Sequence, residues 1–253
     1  MKFPFGNGRT AAPKPALKRP LPIPAPKLDN SHVAALYREA RKGGDFFDFV
    51  ALENSRLIFL LLDIAGERAE AMHIAAQVQE TFRERAHELF ATAERNEADA
   101  VAALLIELNR GVLQAADGVR CTPGFLGSYG EGTGVLFYVN AGHTPALLRD
   151  STGILALEAT ALPMGLFSHA TADAHMSVLS PGAVLMLTSR GIVESRTGRK
   201  EFGIERVRAV LETNPGISDA SRLCQLVLES VAKHTHGAAG QNDLTTLAIA
   251  RNR

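Results

Sequence analysis

The sequence predicts an α+β domain in which helices pack outside stacked antiparallel sheets, and three observations lead there. Short apolar runs recur in pairs around polar or glycine-containing turns, at 46–52 with 56–63 and again through 125–157, which is the mark of hairpins. Two long stretches with helical spacing, about 69–92 and 97–115, stand together between those groups of strands. A doubly wound parallel sheet would instead alternate single strands with single helices. With 253 residues, 46% hydrophobic and 21% charged, the chain has enough apolar material for one large core.

Along the chain the elements follow from local chemistry. Residues 1–28 hold six of the 27 basic residues, none of the 27 acidic ones and seven of the 12 prolines. Such a segment buries too little apolar surface to offset its ordering entropy, so 1–30 reads as a basic, proline-rich disordered or extended tail and 31–253 as the domain. Its charge suits docking to an acidic partner. Residues 31–42 read as a short helix or lead-in that ends at Gly43-Gly44. A hairpin then turns at Glu53-Asn54-Ser55. In the second long helix Leu104, Leu105, Leu108 and Val112 share a face. The segments 125–129, 134–140, 146–149 and 153–157 read as an antiparallel meander. Strands at 184–188 and 244–250 and helices at 204–212 and 220–234 complete the domain.

Composition excludes several function classes. The longest apolar run, 57–62, has strand length and stops at Asp63, far short of the roughly 20 residues of a spanning helix. The start Met1-Lys2-Phe3-Pro4 lacks the apolar core of a signal peptide, and Cys121 and Cys224 read as reduced thiols, so the expected location is cytoplasmic. No tryptophan and three tyrosines leave little stacking surface for nucleic acid. Gly127 to Gly134 lacks a following Lys-Ser/Thr and reads as a hairpin turn, not a phosphate loop. His234 and His236 have no neighbouring carboxylate or cysteine and read as a helix end.

Chemistry concentrates at strand ends. Asp45 follows two glycines, and Asp63 closes the most apolar strand, an arrangement that suits either a divalent-metal site or, for Asp45 alone, a turn-capping carboxylate. Gly43-Gly44-Asp45-Phe46-Phe47-Asp48, Asp63-Ile64-Ala65-Gly66, Tyr138-Val139-Asn140-Ala141-Gly142-His143, Pro163-Met164-Gly165-Leu166 and Phe202-Gly203-Ile204-Glu205-Arg206 occur in that order over most of the domain. Together they resemble the SpoIIE-like branch of the PPM-type, metal-dependent serine/threonine protein phosphatases.

The resemblance implies a four-layer α-β-β-α sandwich and a two-metal hydrolysis of phosphoserine or phosphothreonine on a bacterial regulatory protein, using Mn²⁺ or Mg²⁺. It implies Asp63 as a bridging ligand, the Ile64 carbonyl as another, and Asp45 as the acid holding metal-bound water; Asp45 and Asp63 are thus the catalytic pair. It makes His143 a structural or pocket-lining residue.

Two motifs depart from the family's pattern. Its T/S-D-G-x-x-E segment reads Ser189-Arg190-Gly191-Ile192-Val193-Glu194, and its D-D-x-T segment reads Asn242-Asp243-Leu244-Thr245. Asp45 and Asp63 contribute −1 each, Arg190 +1 and Asn242 nothing, leaving −1 where the family has −4. A guanidinium about 4 Å from a divalent ion costs on the order of 8 kcal/mol at an effective dielectric near 20. Arg190 is therefore expected to replace the second metal and fork onto Asp63 or Asp45. In the alternative, Arg190 points to solvent and Asp243 becomes a substitute ligand. At most one tightly bound ion is expected. Two functions stay open: a phosphatase with impaired turnover, and a pseudophosphatase that binds a phosphorylated or other regulatory partner.

Overall fold

The computed structural model describes residues 18–40, 43–91, 96–238 and 240–253. In chain order the elements are β1 (Ser31–Arg38), β2 (Asp45–Leu52), β3 (Arg56–Asp63), α1 (Arg68–Phe90), α2 (Glu97–Ala115), β4 (Gly124–Gly130), β5 (Val135–Ala141) and β6 (Ala146–Arg149). There follow β7 (Ile154–Leu157), β8 (His175–Val178), β9 (Val184–Thr188), α3 (Arg190–Val193), β10 (Arg196–Thr197), β11 (Lys200–Glu201), α4 (Ile204–Thr213), α5 (Ala220–His234) and β12 (Leu244–Arg251). Two five-stranded antiparallel sheets result, ordered β1-β12-β9-β6-β7 and β2-β3-β4-β5-β8, with β10 and β11 forming a separate small ribbon.

Strand alternation builds three apolar layers. On β3, Ile58, Leu60 and Leu62 face α1 and α2, while Leu57, Phe59 and Leu61 face the other sheet, and none of the six is more than 1% exposed. A strand covered on both faces must be apolar throughout, which explains the uninterrupted run that ends at Asp63. On β12 and β9, Leu247, Ile249, Leu185 and Leu187 meet β3 between the sheets, whereas Ala248, Val184 and Met186 pack under α4 and α5. Helices, sheet, sheet, helices is the four-layer α-β-β-α order. Gly127 sits where the Phe59 ring crosses β4, because a Cβ there would lie 2.4 Å from the ring.

Three expectations need correction. Residues 31–38 are a strand, not a helix, paired with β12 from Ser31↔Arg251 to Arg38↔Leu244. The run is rich in alanine and leucine, but pairing along a whole edge overrides that propensity. The single meander is divided: β4 and β5 belong to one sheet and β6 and β7 to the other, with the chain crossing at Gly142, φ 69°. An additional edge strand, β8, pairs with β5. Residues 18–30 lie against the domain without regular structure, Leu21 bonded to Gln79 and Asn30 to Glu131, in keeping with the extended alternative for this part of the tail. Residues 1–17 of the tail, and 41, 42 and 92 of the expected helices, lie outside the described residues.

Candidate active site

The site forms at one end of the sandwich, where both sheets deliver strand ends. In the β2–β3 register Asp45 stands directly across from Asp63. Gly44 makes this approach feasible: its carbonyl accepts the Ile64 N–H at 3.0 Å, and a Cβ at Gly44 would lie 2.0 Å from the Ile64 carbonyl oxygen. A Cβ on Gly43 would strike the Asp243 carboxylate at 2.1 Å. From the opposite sheet, β9 leads into Ser189-Arg190 and β12 begins just after Asn242-Asp243. The sheets are joined here by the Thr245 hydroxyl, which donates to Asp45 Oδ2 at 2.6 Å.

All the residues singled out at strand ends are brought together. A cavity of about 160 Å³ is lined by Gly43, Asp45, Asp63, Ile64, Arg190, Asn242 and Asp243, among others. The carboxylates, however, are turned to cations and donors of the chain itself. Arg190 Nε donates to Asp63 Oδ2 at 2.9 Å, with the Arg190 side chain half exposed. The Asp243 side chain, fully buried, is held by Arg68 Nη1 at 3.0 and 3.2 Å, by the Tyr37 hydroxyl at 3.1 Å and by the Ala40 N–H at 2.8 Å. Burial pushes the Asp45 carboxyl up to about 7, aided by the Asp63 and Asp243 charges and opposed by hydrogen bonds from Ser189 and Thr245. His143 is buried beside Thr144, its Nε2 without a hydrogen-bond partner, and burial lowers it to about 4.

This donor set does not fit a pair of divalent ions. Asp63 and Asp243 each carry a guanidinium, Asn242 offers no charge, and among the described residues no three His, Cys, Asp or Glu side chains converge as a metal cluster. Adding Asp243 and Arg68 to the charge count leaves it at −1, because they cancel. The site thus resembles one in which guanidinium groups stand where cations would.

Arg68, Tyr37 and Thr245 were not singled out from the sequence. One signal existed for Arg68: a cation in the first turn of a helix opposes the macrodipole and implies an anion nearby. His234 and His236 lie at and beyond the end of α5, away from this cavity, with His234 Nε2 against the Lys200 carbonyl at 3.1 Å.

The family profile described as Stage II sporulation protein E (SpoIIE) matches residues 53–252. The chain belongs to this family of PPM-type phosphatase domains. Protein IcfG of Synechocystis sp. is 23% identical over 92% of the chain, which spans only 40% of IcfG. The structure of the RsbU and RsbW domains of a Mycobacterium tuberculosis protein superposes with a TM-score of 0.72 at 24% identity, covering 89% of this chain and 61% of that one. The PP2C phosphatase domain of SpoIIE from Bacillus subtilis, solved with part of its regulatory domain, gives 0.68 at 16% identity, covering 89% and 64%. At these identities the structural likeness establishes the fold. Among the described residues of this SpoIIE-family chain no helix is long and apolar enough to cross a membrane.

Proposed function

We propose that this SpoIIE-family domain engages a phosphorylated regulatory protein in the cytoplasm with its hydrolytic turnover impaired, acting as a pseudophosphatase. The observation that carries the reading is the Arg190–Asp63 pair at 2.9 Å. PPM phosphatases are metal-dependent, using Mg²⁺ or Mn²⁺. Here the carboxylate expected to bridge such ions is bound to a permanently charged side chain. An ion must displace Arg190 to reach Asp63 and Arg68 to reach Asp243, so the chain holds at most one Mn²⁺ or Mg²⁺. The phosphoserine or phosphothreonine class of the partner follows from the family, and the basic tail offers a contact for an acidic surface on that partner.

The test compares the unmodified protein, Arg190→Asp, Asn242→Asp and the double variant on one phosphoserine peptide, with and without Mn²⁺. The unmodified protein is expected to show near-zero turnover. The double change should raise Mn²⁺-dependent turnover by orders of magnitude, and each single change far less, because the ligands act together. Turnover by the unmodified protein that the double change cannot improve would show a rearranged but active phosphatase instead.

A further inference from the structure

Residues 18–24 run along α1 as an extended segment with proline at 20, 22 and 24. Their seat is built from buried groups. Gln79, 5% exposed, accepts the Leu21 N–H through Oε1 at 2.7 Å and donates from Nε2 to the Leu21 carbonyl at 3.0 Å. A side-chain amide that satisfies both backbone groups of one residue reads an extended peptide as a neighbouring strand would. Its orientation is fixed by Asp48, whose fully buried carboxylate accepts from Gln79 Nε2 at 3.2 Å and is gripped by Arg83 at 2.9 and 3.1 Å. Neither Arg190 nor Asp63 touches this triad, in which Gln79 and Asp48 are buried and Arg83 is partly exposed. Lys18 adds an end contact, its ammonium on Glu80 at 3.1 Å and its N–H on His73 Nδ1 at 3.3 Å.

The native occupant fills this seat poorly. The clamp touches only the backbone of Leu21, a residue that is 68% exposed. Beneath residues 20–23 an open, mainly apolar groove of about 260 Å³ runs along Tyr37, Phe46, Phe47 and Met72 to Asp45 and Arg68, with Ile23 entering it only in part. Proline-rich segments suit such a seat, because their extended helix is preformed and loses little entropy on docking.

We propose that the groove between α1 and β2 is a recognition seat for an extended proline-rich segment of a partner protein. The chain's own residues 18–24 are its placeholder, displaced by a segment with the same backbone contacts, a basic residue at its start and a larger apolar side chain where Ile23 stands. The seat borders the carboxylate site, sharing Tyr37, Asp45 and Arg68 with it, but its Gln79–Asp48 clamp touches neither Arg190 nor Asp63, and peptide binding is read without turnover, so it stands whether or not the chain turns over a phosphoprotein.

Fluorescence anisotropy on the 253-residue chain tests this, with two labelled peptides: residues 18–28, and the same peptide carrying Ile23→Phe. The receiving protein is Leu21→Pro, which deletes the N–H that Gln79 accepts and so frees the seat. Leu21→Pro is expected to bind the Ile23→Phe peptide about tenfold more tightly than the unmodified protein does, and more tightly than it binds the native peptide. Adding Gln79→Leu to Leu21→Pro should abolish binding. In case that variant does not fold, Glu80→Lys in the Leu21→Pro background should weaken binding several-fold with an unchanged circular dichroism spectrum. Absence of binding to Leu21→Pro at about 1 mM, or binding that neither Gln79→Leu nor Glu80→Lys reduces, overturns the proposal.

Discussion

Two buried titratable residues pull the stability of this fold in opposite directions with pH. Asp45 is raised to about 7 by burial, so its contribution is present below the ordinary carboxylate value and is lost as pH rises towards 7. His143 is lowered to about 4 by burial, so its contribution is present above the ordinary imidazole value and is lost as pH falls through 4. At about 1.4 kcal/mol per unit the effect is on the order of 4 kcal/mol for Asp45 and 3 kcal/mol for His143, and between pH 4 and 7 they oppose one another. Relative to the unmodified protein, Asp45→Asn should therefore look most favourable at pH 8, with the advantage shrinking towards pH 4. His143→Gln should show the reverse trend. Urea midpoints at pH 4, 5.5 and 8 check both, and a pH-independent difference for either variant would rule out that residue as a source of the slope.

Elements decide which residues meet, and here the legibility of the sequence was uneven. The run 57–62 and its closing Asp63 announced β3 and one half of the site because a strand buried on both faces has no polar interruption. Edge strands give a weaker signal: β1 carries helix-forming alanines, and β8 is four residues long with Met176 and Val178 exposed, so pairing partners alone define them. The Arg190 and Asn242 departures were legible because each breaks a fixed motif. Arg68 offered only the weak signal of a cation in a first helical turn, since its partner Asp243 lies 175 residues away. At the start of α1, Arg68 opposes the helix dipole, which costs about 0.3–1 kcal/mol, yet removing one member of a buried pair typically costs about 3–5 kcal/mol. Arg68→Ala should thus destabilise the fold by about 2–3 kcal/mol in urea unfolding. Adding Asp243→Asn should recover more than half of that loss, since no unpaired charge then remains. An additive double variant would show that the pair carries no coupling.

For the whole molecule the question is what neutralises the carboxylates where the two sheets meet. In the family's chemistry divalent ions do so, and the fold is then linked to their concentration by mass action. In this chain Arg190 and Arg68 are covalently attached to the same polypeptide, so Asp63 and Asp243 are paired at any metal concentration. The melting temperature of the unmodified protein should therefore move by less than about 1 °C between EDTA and 1 mM Mn²⁺. Replacing Arg190 and Asn242 by Asp together should convert the same fold into a metal-linked one. With a dissociation constant near 10 μM, 1 mM Mn²⁺ would add about 2.7 kcal/mol, by the linkage relation for a hundredfold excess. At about 2–4 °C per kcal/mol for a domain of this size, that is roughly 5–10 °C. In EDTA the double variant should melt below the unmodified protein, because four carboxylates then repel one another without a cation between them. A Mn²⁺-dependent rise of similar size in the unmodified chain would mean that ions displace Arg190 readily, and Arg190 would then be a gate on the metal site and not its replacement.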